Sequence, residues 1–370
     1  MTKLLRFAKK HAVLCIAALA ALVTCFFVPP DKEYVGYFDF RTLACLFLTL
    51  AVIAALRNIK FFTILSRRLV VLAGSLRTLF LLLLAITFIG SMIIANDMAL
   101  ITFLPLGYFA LSVSKKEKYA AFLFILQNIT ANLGGMLTPF GNPQNLYLYS
   151  FFHIETGEFL SIMAWPFFFS ICLIVLFCFF VKNEKLVLCD DYSEKLNVKK
   201  ALLYLALFAL SLLIVFRVID YRLGIVLIVP ILFFADHEAI LMVDYPLLFT
   251  FFFFFIFAGN LSRIPAVHAL FSSLLGVDTF LFSTLSCQAI SNVPSAILLS
   301  RFTDNYRALL LGVNVGGVGT LISSLASLIT FSEFCILYPT EKRRYLTLFA
   351  VLNAVFLLAL ILFVKLLGLA

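Results

Sequence analysis

Four polar stretches interrupt an otherwise apolar chain, and they hold the residues that could do chemistry. Residues 94–105 read IANDMALITFLP and residues 290–301 read ISNVPSAILLSR, each with an asparagine, Asn96 or Asn292, amid apolar neighbours. Residues 132–145 read NLGGMLTPFGNPQN and residues 314–327 read NVGGVGTLISSLAS. Gly134, Gly135 and Gly141 permit backbone conformations closed to other residues, and Pro139 and Pro143 keep a helix from continuing. A helix opened at such a point frees carbonyls that can coordinate a cation. It also frees N–H groups that, with a helix N-terminus, can hold an anion. Asn96, Thr138, Asn142, Asn145, Ser291, Asn292, Asn314, Thr320, Ser323 and Ser324 are therefore the candidate ligands of a small substrate. Asp97, Asn96, Gly135, Gly141, Asn292 and Gly319 are the candidates for a coupling ion.

Asp97 stands apart as an ionisable group in an apolar segment. An intramembrane carboxylate is expensive and marks function by default. It can bind a cation, carry a proton or be held neutral. No Lys or Arg is expected at its depth, so an anionic substrate would need helix dipoles, a bound cation or a proton for neutralisation. The second tip, Ser291-Asn292-Val293, has no acid.

The elements that must position these residues are membrane helices. The 370 residues are 64% hydrophobic and 13% charged, with 44 Phe, and a soluble domain could not hide that surface. Many segments approach the roughly 20 apolar residues that span hydrocarbon. In lipid every backbone polar group must be satisfied, so a Gly/Pro/Asn-rich run survives only where it lines a cavity inside the protein. Expected spans are 11–29, 42–56, 118–149, 159–181, 201–217, 222–235, 246–259, 306–330 and 345–368. The segments 78–111 and 279–300 are expected to be re-entrant hairpins that turn at their polar tips, with amphipathic connectors at 60–75 and 261–276. The N-terminal apolar run resembles a signal peptide but is read as a retained first helix.

The net charge of +9 would suggest nucleic acid for a soluble protein. Here Lys and Arg fall in loops and act as topology determinants, so no nucleic-acid partner is expected. With the N-terminus cytoplasmic, Lys3, Arg6, Lys9 and Lys10, then Arg57 to Arg77, Lys115 to Lys118, Lys182 to Lys200 and Lys342 to Arg344 lie inside. The C-terminus is then extracytoplasmic.

The chain also repeats itself. NLGGMLT at 132–138 and NVGGVGT at 314–320 each follow an Asn-centred tip. The expected organisation is all-α and polytopic: a first repeat over 1–181, a cytoplasmic linker over 182–200 and an inverted second repeat over 201–370, the architecture of many secondary transporters. The eight Cys lie mostly in apolar segments, with no CxxC and no Cys/His cluster, so neither disulfides nor a metal site is expected. HExxH, GxSxG and GxxxxGK[ST] do not occur, which argues against a metalloenzyme, a serine hydrolase and an ATP-driven pump.

At these four motifs the chain resembles the ion transporter superfamily, the citrate, arsenite and divalent-anion permeases. ANDMALITFLPL resembles the first hairpin tip of that family, and NLGGMLTPFGNPQNL its first broken helix. ISNVPSAILLS and GVNVGGVGTLISSLASL resemble the second-half counterparts. The resemblance covers about residues 40–368. It implies a scaffold and a transport unit, with substrate and cation between the tips and the breaks, and a homodimer. Ala95-Asn96-Asp97 departs from the Ser-Asn-Thr of the dicarboxylate branch and is more like the citrate–metal, arsenite and antiporter branches. The expected function is secondary active transport of a citrate-like, dicarboxylate-like or inorganic oxyanion, coupled to Na+ or H+, in a cell membrane, with no bound cofactor. The alternative is an arsenite-type efflux permease or Na+/H+ antiporter.

Overall fold

Capping residues and prolines divide the apolar chain into helices. The computed structural model describes residues 11–186 and 196–370; the topology charges Lys3, Arg6, Lys9, Lys10 and Lys195 lie outside the described residues. The first half comprises α1 Ala12–Phe27, α2 Phe40–Asn58, α3 Phe61–Val70, α4 Leu76–Ile94, α5 Asn96–Val113, α6 Ala120–Gly134, α7 Pro143–Phe151 and α8 Thr156–Cys178. The second comprises α9 Val198–Val215, α10 Tyr221–Ala235, α11 His237–Leu241, α12 Tyr245–Ser262, α13 Pro265–Ile290, α14 Asn292–Leu299, α15 Tyr306–Val315, α16 Leu325–Leu337 and α17 Lys342–Leu366. Asp39 accepts from Thr42 N at the start of α2 (3.0 Å) and Asp244 from Leu247 N at the start of α12 (3.0 Å). Each satisfies an N–H that the first turn leaves unbonded. Pro143 opens α7, where a missing N–H costs nothing.

The protein is all-helical, and nine segments among the described residues are long and apolar enough to cross a membrane. Their membership differs from the sequence expectation. The arms of the 78–111 hairpin are full helices of 19 and 18 residues, and each qualifies by itself. α13 covers both the expected connector 261–276 and the arm expected from 279, and non-helical backbone at Asp278 (φ −161°, ψ 93°) divides the two close to where the sequence separated them. The span expected at 306–330, with its Gly-rich break, is the pair α15 and α16. Alternation of apolar and polar stretches locates a break but does not measure the helix on either side of it.

Packing crosses between the halves. The first helix of each half lies against a helix of the other: α1 on α12, and α9 on α2. Within each half, the helix leading to the tip packs on the helix leading to the Gly break: α4 on α6, and α13 on α15. The half-helices beyond the breaks then reach across, α7 to α14 and α16 to α5. The segments that lead to the two tips are also tied to the ends of their own halves. Leu76 N donates to Glu184 O (2.8 Å), Leu186 N donates to Gly74 O (3.1 Å) and Lys116 pairs with Glu184. In the second half Lys365 Nζ pairs with Asp278 Oδ2 (2.6 Å).

Candidate functional site

Small residues make both tips. Ala95 has φ 65° and Ser291 φ 75°, a left-handed conformation that side chains disfavour. That turn points the next residue, Asn96 or Asn292, back into the protein. Each asparagine Oδ1 accepts from the following N–H, Asp97 N or Val293 N, at 2.9 Å. Each asparagine N–H reaches the unwound backbone of its break: Asn96 N to Gly141 O (3.2 Å), and Asn292 N to Ser323 O (2.9 Å).

The breaks are held by matching bonds. Thr138 Oγ1 donates to Met92 O (2.7 Å) and Thr320 Oγ1 to Gln288 O (3.0 Å); both acceptors lie four residues before the tip asparagine. A Cβ on Gly134 would meet Phe88 O at 2.5 Å, and one on Gly316 would meet Thr284 O at 2.8 Å. Glycine is required at both positions because one helix crosses another backbone to backbone.

Between the breaks lies a buried asparagine network. Asn96 Nδ2 donates to Asn132 Oδ1 (3.0 Å), and Asn132 Nδ2 to Asn128 O (3.1 Å). Asn128 Nδ2 donates to Ser327 Oγ (3.1 Å) across the halves, and Ser327 Oγ lies 3.0 Å from Ser324 Oγ. Asn142 Nδ2 donates to Asn132 O (3.3 Å) and Asn314 Oδ1 (3.4 Å). Asn314 Nδ2 donates to Asn145 Oδ1 (2.7 Å) and Leu310 O (2.8 Å). A Cβ on Gly317 would lie 3.1 Å from Asn292 Nδ2 and 3.7 Å from Asn132 Oδ1, which places the second tip beside this network.

One amide occupies the freed carbonyls of each break. Asn145 Nδ2 donates to Gly135 O (3.2 Å), Met136 O (3.2 Å) and Thr138 O (3.4 Å). Gln288 Nε2 donates to Thr284 O (3.1 Å), Gly316 O (2.9 Å) and Val318 O (3.3 Å), and Gln288 Oε1 accepts from Thr320 N (2.9 Å).

Three acceptor oxygens near the first break are buried without a hydrogen-bond partner: Asp97 Oδ1, Asn142 Oδ1 and Gln144 Oε1. A bare buried acceptor is unfavourable, and more so on a carboxylate. Asp97 occupies the first turn of α5, where the helix dipole favours negative charge. It makes no side-chain bond to the asparagine network.

The structure therefore gathers Asn96, Asn142, Asn145, Asn292, Asn314, Ser323, Ser324, Gly135 and Gly141 around the breaks. Thr138, Thr320 and Ser291 tie tips to breaks, Ser291 Oγ donating to Ser323 O (3.4 Å). Gly319, at φ 143°, backs onto Gln288: a Cβ there would lie 2.0 Å from Gln288 Oε1. Arg57 Nη1 stands 3.8 Å from Met98 Sδ, so a guanidinium lies beside the first tip, where none was expected. Sequence reasoning missed Asn128, Asn132 and Gln288 as site-forming residues. Their signal is a lone amide in an apolar helix, with Asn128 and Asn132 one turn apart on one face.

The sequence pattern of a family described as "Citrate transporter" matches residues 4–306. The chain is similar to an uncharacterized transporter of Methanocaldococcus jannaschii, 35% identical over 303 residues that cover 79% of this chain and 80% of that protein. It is also similar to the inner membrane protein YbiR of Escherichia coli, 28% identical over 316 residues and 82% of each chain.

Proposed function

Because the chain belongs to the citrate transporter family, and is thus a multi-span membrane transporter rather than an enzyme, we propose that it carries a citrate-like, dicarboxylate-like or inorganic oxyanion by alternating access, coupled to H+ through Asp97. The observation that carries this reading is the orphaned Asp97 Oδ1 beside a buried amide network whose break carbonyls already have donors. A proton on Asp97 removes a buried charge and supplies a hydrogen to share. The neutral amides of Asn96, Asn142, Asn292 and Asn314 suit the oxygens of an anion, and the N-terminal ends of α5, α7 and α14 lend it partial positive charge.

The halves 1–181 and 201–370, joined by 182–200, act as inverted repeats around this site. The matched bonds of Thr138 and Thr320, and of Asn96 and Asn292, support that reading. The tips, breaks, α8 and α17 form the unit that moves, and α1, α2, α9, α10 and α12 form the scaffold. The N-terminus is cytoplasmic and the C-terminus extracytoplasmic. Two copies assemble as a homodimer.

A second reading puts Na+ in place of the proton. It is favoured by Asn142 Oδ1, a buried orphan acceptor that converges with Gly141 O on Gly135. Uptake of labelled citrate and succinate by purified protein in liposomes, under an inward H+ and then an inward Na+ gradient, separates the two. Accumulation under the H+ gradient alone is expected. Accumulation under the Na+ gradient alone transfers the role to Asn142 and Gly141. No accumulation, with arsenite efflux or Na+-driven proton movement instead, overturns anion import.

A further inference from the structure

Gln288 does something that the matching position of the first half cannot. It lies four residues before the second tip asparagine, where the first half has Met92. Its Nε2 lies 2.9 to 3.3 Å from Thr284 O, Gly316 O and Val318 O, which share its two N–H donors. Its Oε1 meanwhile takes the Thr320 N–H. Gly316 O and Val318 O at the break converge with Thr284 O of α13 on one point, and carbonyls gathered in this way at an unwound membrane helix make a cation cradle. Here a neutral amide donor fills the cradle, and the backbone closes around it: Gly319 adopts φ 143°, and any side chain there would collide with Gln288 Oε1.

We infer that Gln288 is a positioning residue that stands in for a cation at the second break, so this break holds its shape without binding Na+ and leaves cation coupling to the first tip. Asn145, the amide that fills the first break, is shared with Asn314 and enters from the helix beyond the break. Gln288 enters from the tip arm and bonds only its own helix and its own break. The inference rests on reading the two breaks as one transport site, but its test does not require transport.

The test is thermal unfolding of the purified full-length protein in NaCl against choline chloride at equal ionic strength. Wild-type protein is expected to show no sodium effect that Gln288→Met abolishes. Gln288→Glu keeps the shape, removes the donor and adds a charge facing the three carbonyls. It is expected to unfold several degrees lower in choline and to regain most of that in sodium. Gln288→Met, which copies the first half, removes the donor without adding charge; it is expected to lose stability in both salts, with part restored by sodium. A purely structural amide predicts the losses without sodium-specific recovery. A folded Gln288→Glu or Gln288→Met protein indifferent to sodium, or a wild-type sodium effect that vanishes in Gln288→Met, overturns the inference. Failure to transport any tested anion would contradict the proposed function and leave this result standing.

Discussion

At the scale of single residues, cost is what makes the site visible. An asparagine or aspartate in an apolar helix is costly unless something binds it, so Asn96, Asp97, Asn292 and Asn314 are legible from sequence. Their partners are not, because an amide's partner is chosen in three dimensions. Asn128 meets Ser327 and Asn142 meets Asn314 only after the halves come together. Asn314→Ala removes donors to Asn145 Oδ1 and Leu310 O and leaves buried acceptors bare. It should cost ~1–3 kcal/mol and lower uptake at least tenfold, measured by thermal unfolding and by liposome flux.

Helices and turns give a second set of expectations. The two breaks were legible as Gly/Pro interruptions, and α6 and α15 do end where the glycines begin. Helix lengths were not, since no residue type marks where α4 and α5 become long enough to cross a membrane. Gly134→Ala places a methyl group 2.5 Å from Phe88 O, whereas Gly276 has nothing within 4 Å of its would-be Cβ. The first substitution should destabilise by ~1–3 kcal/mol through overpacking, and Gly276→Ala should be neutral within error. The turn before α2 has its own signature. Arg263 donates to Asp31 at 2.6 and 3.1 Å and holds that carboxyl below its usual range. A lowered carboxyl contributes stability that is complete above the ordinary Asp range and fades as pH falls below it. Wild type should therefore outlast Asp31→Asn on unfolding at about pH 7, and the gap should close toward about pH 3.

For the whole molecule, composition alone separated a membrane protein from a soluble one, and the recurring motifs suggested two halves. The exchange of packing between those halves, α1 with α12 and α9 with α2, left no trace in the sequence, because apolar helix faces of similar composition do not name their partners. If the scaffold and the moving unit shift against each other, a link within the moving unit should be harmless and a link across its boundary should not. Phe169 and Phe363 stack at 4.1 Å within the α8–α17 pair. Arg301 reaches from the end of α14 to Tyr37 O in the scaffold (2.6 Å). In a cysteine-free background, bridging cysteines at 169 and 363 with a short bifunctional reagent should preserve uptake. Bridging 37 and 301 should abolish it, with activity restored by a reducible linker. The measurement that tests the central claim most directly compares wild type and Asp97→Asn in one preparation, for proton-driven accumulation and for gradient-free exchange of the same labelled anion. Coupling through Asp97 predicts that the variant loses accumulation while exchange persists within a few-fold. Accumulation that survives in Asp97→Asn at wild-type proton dependence would contradict it.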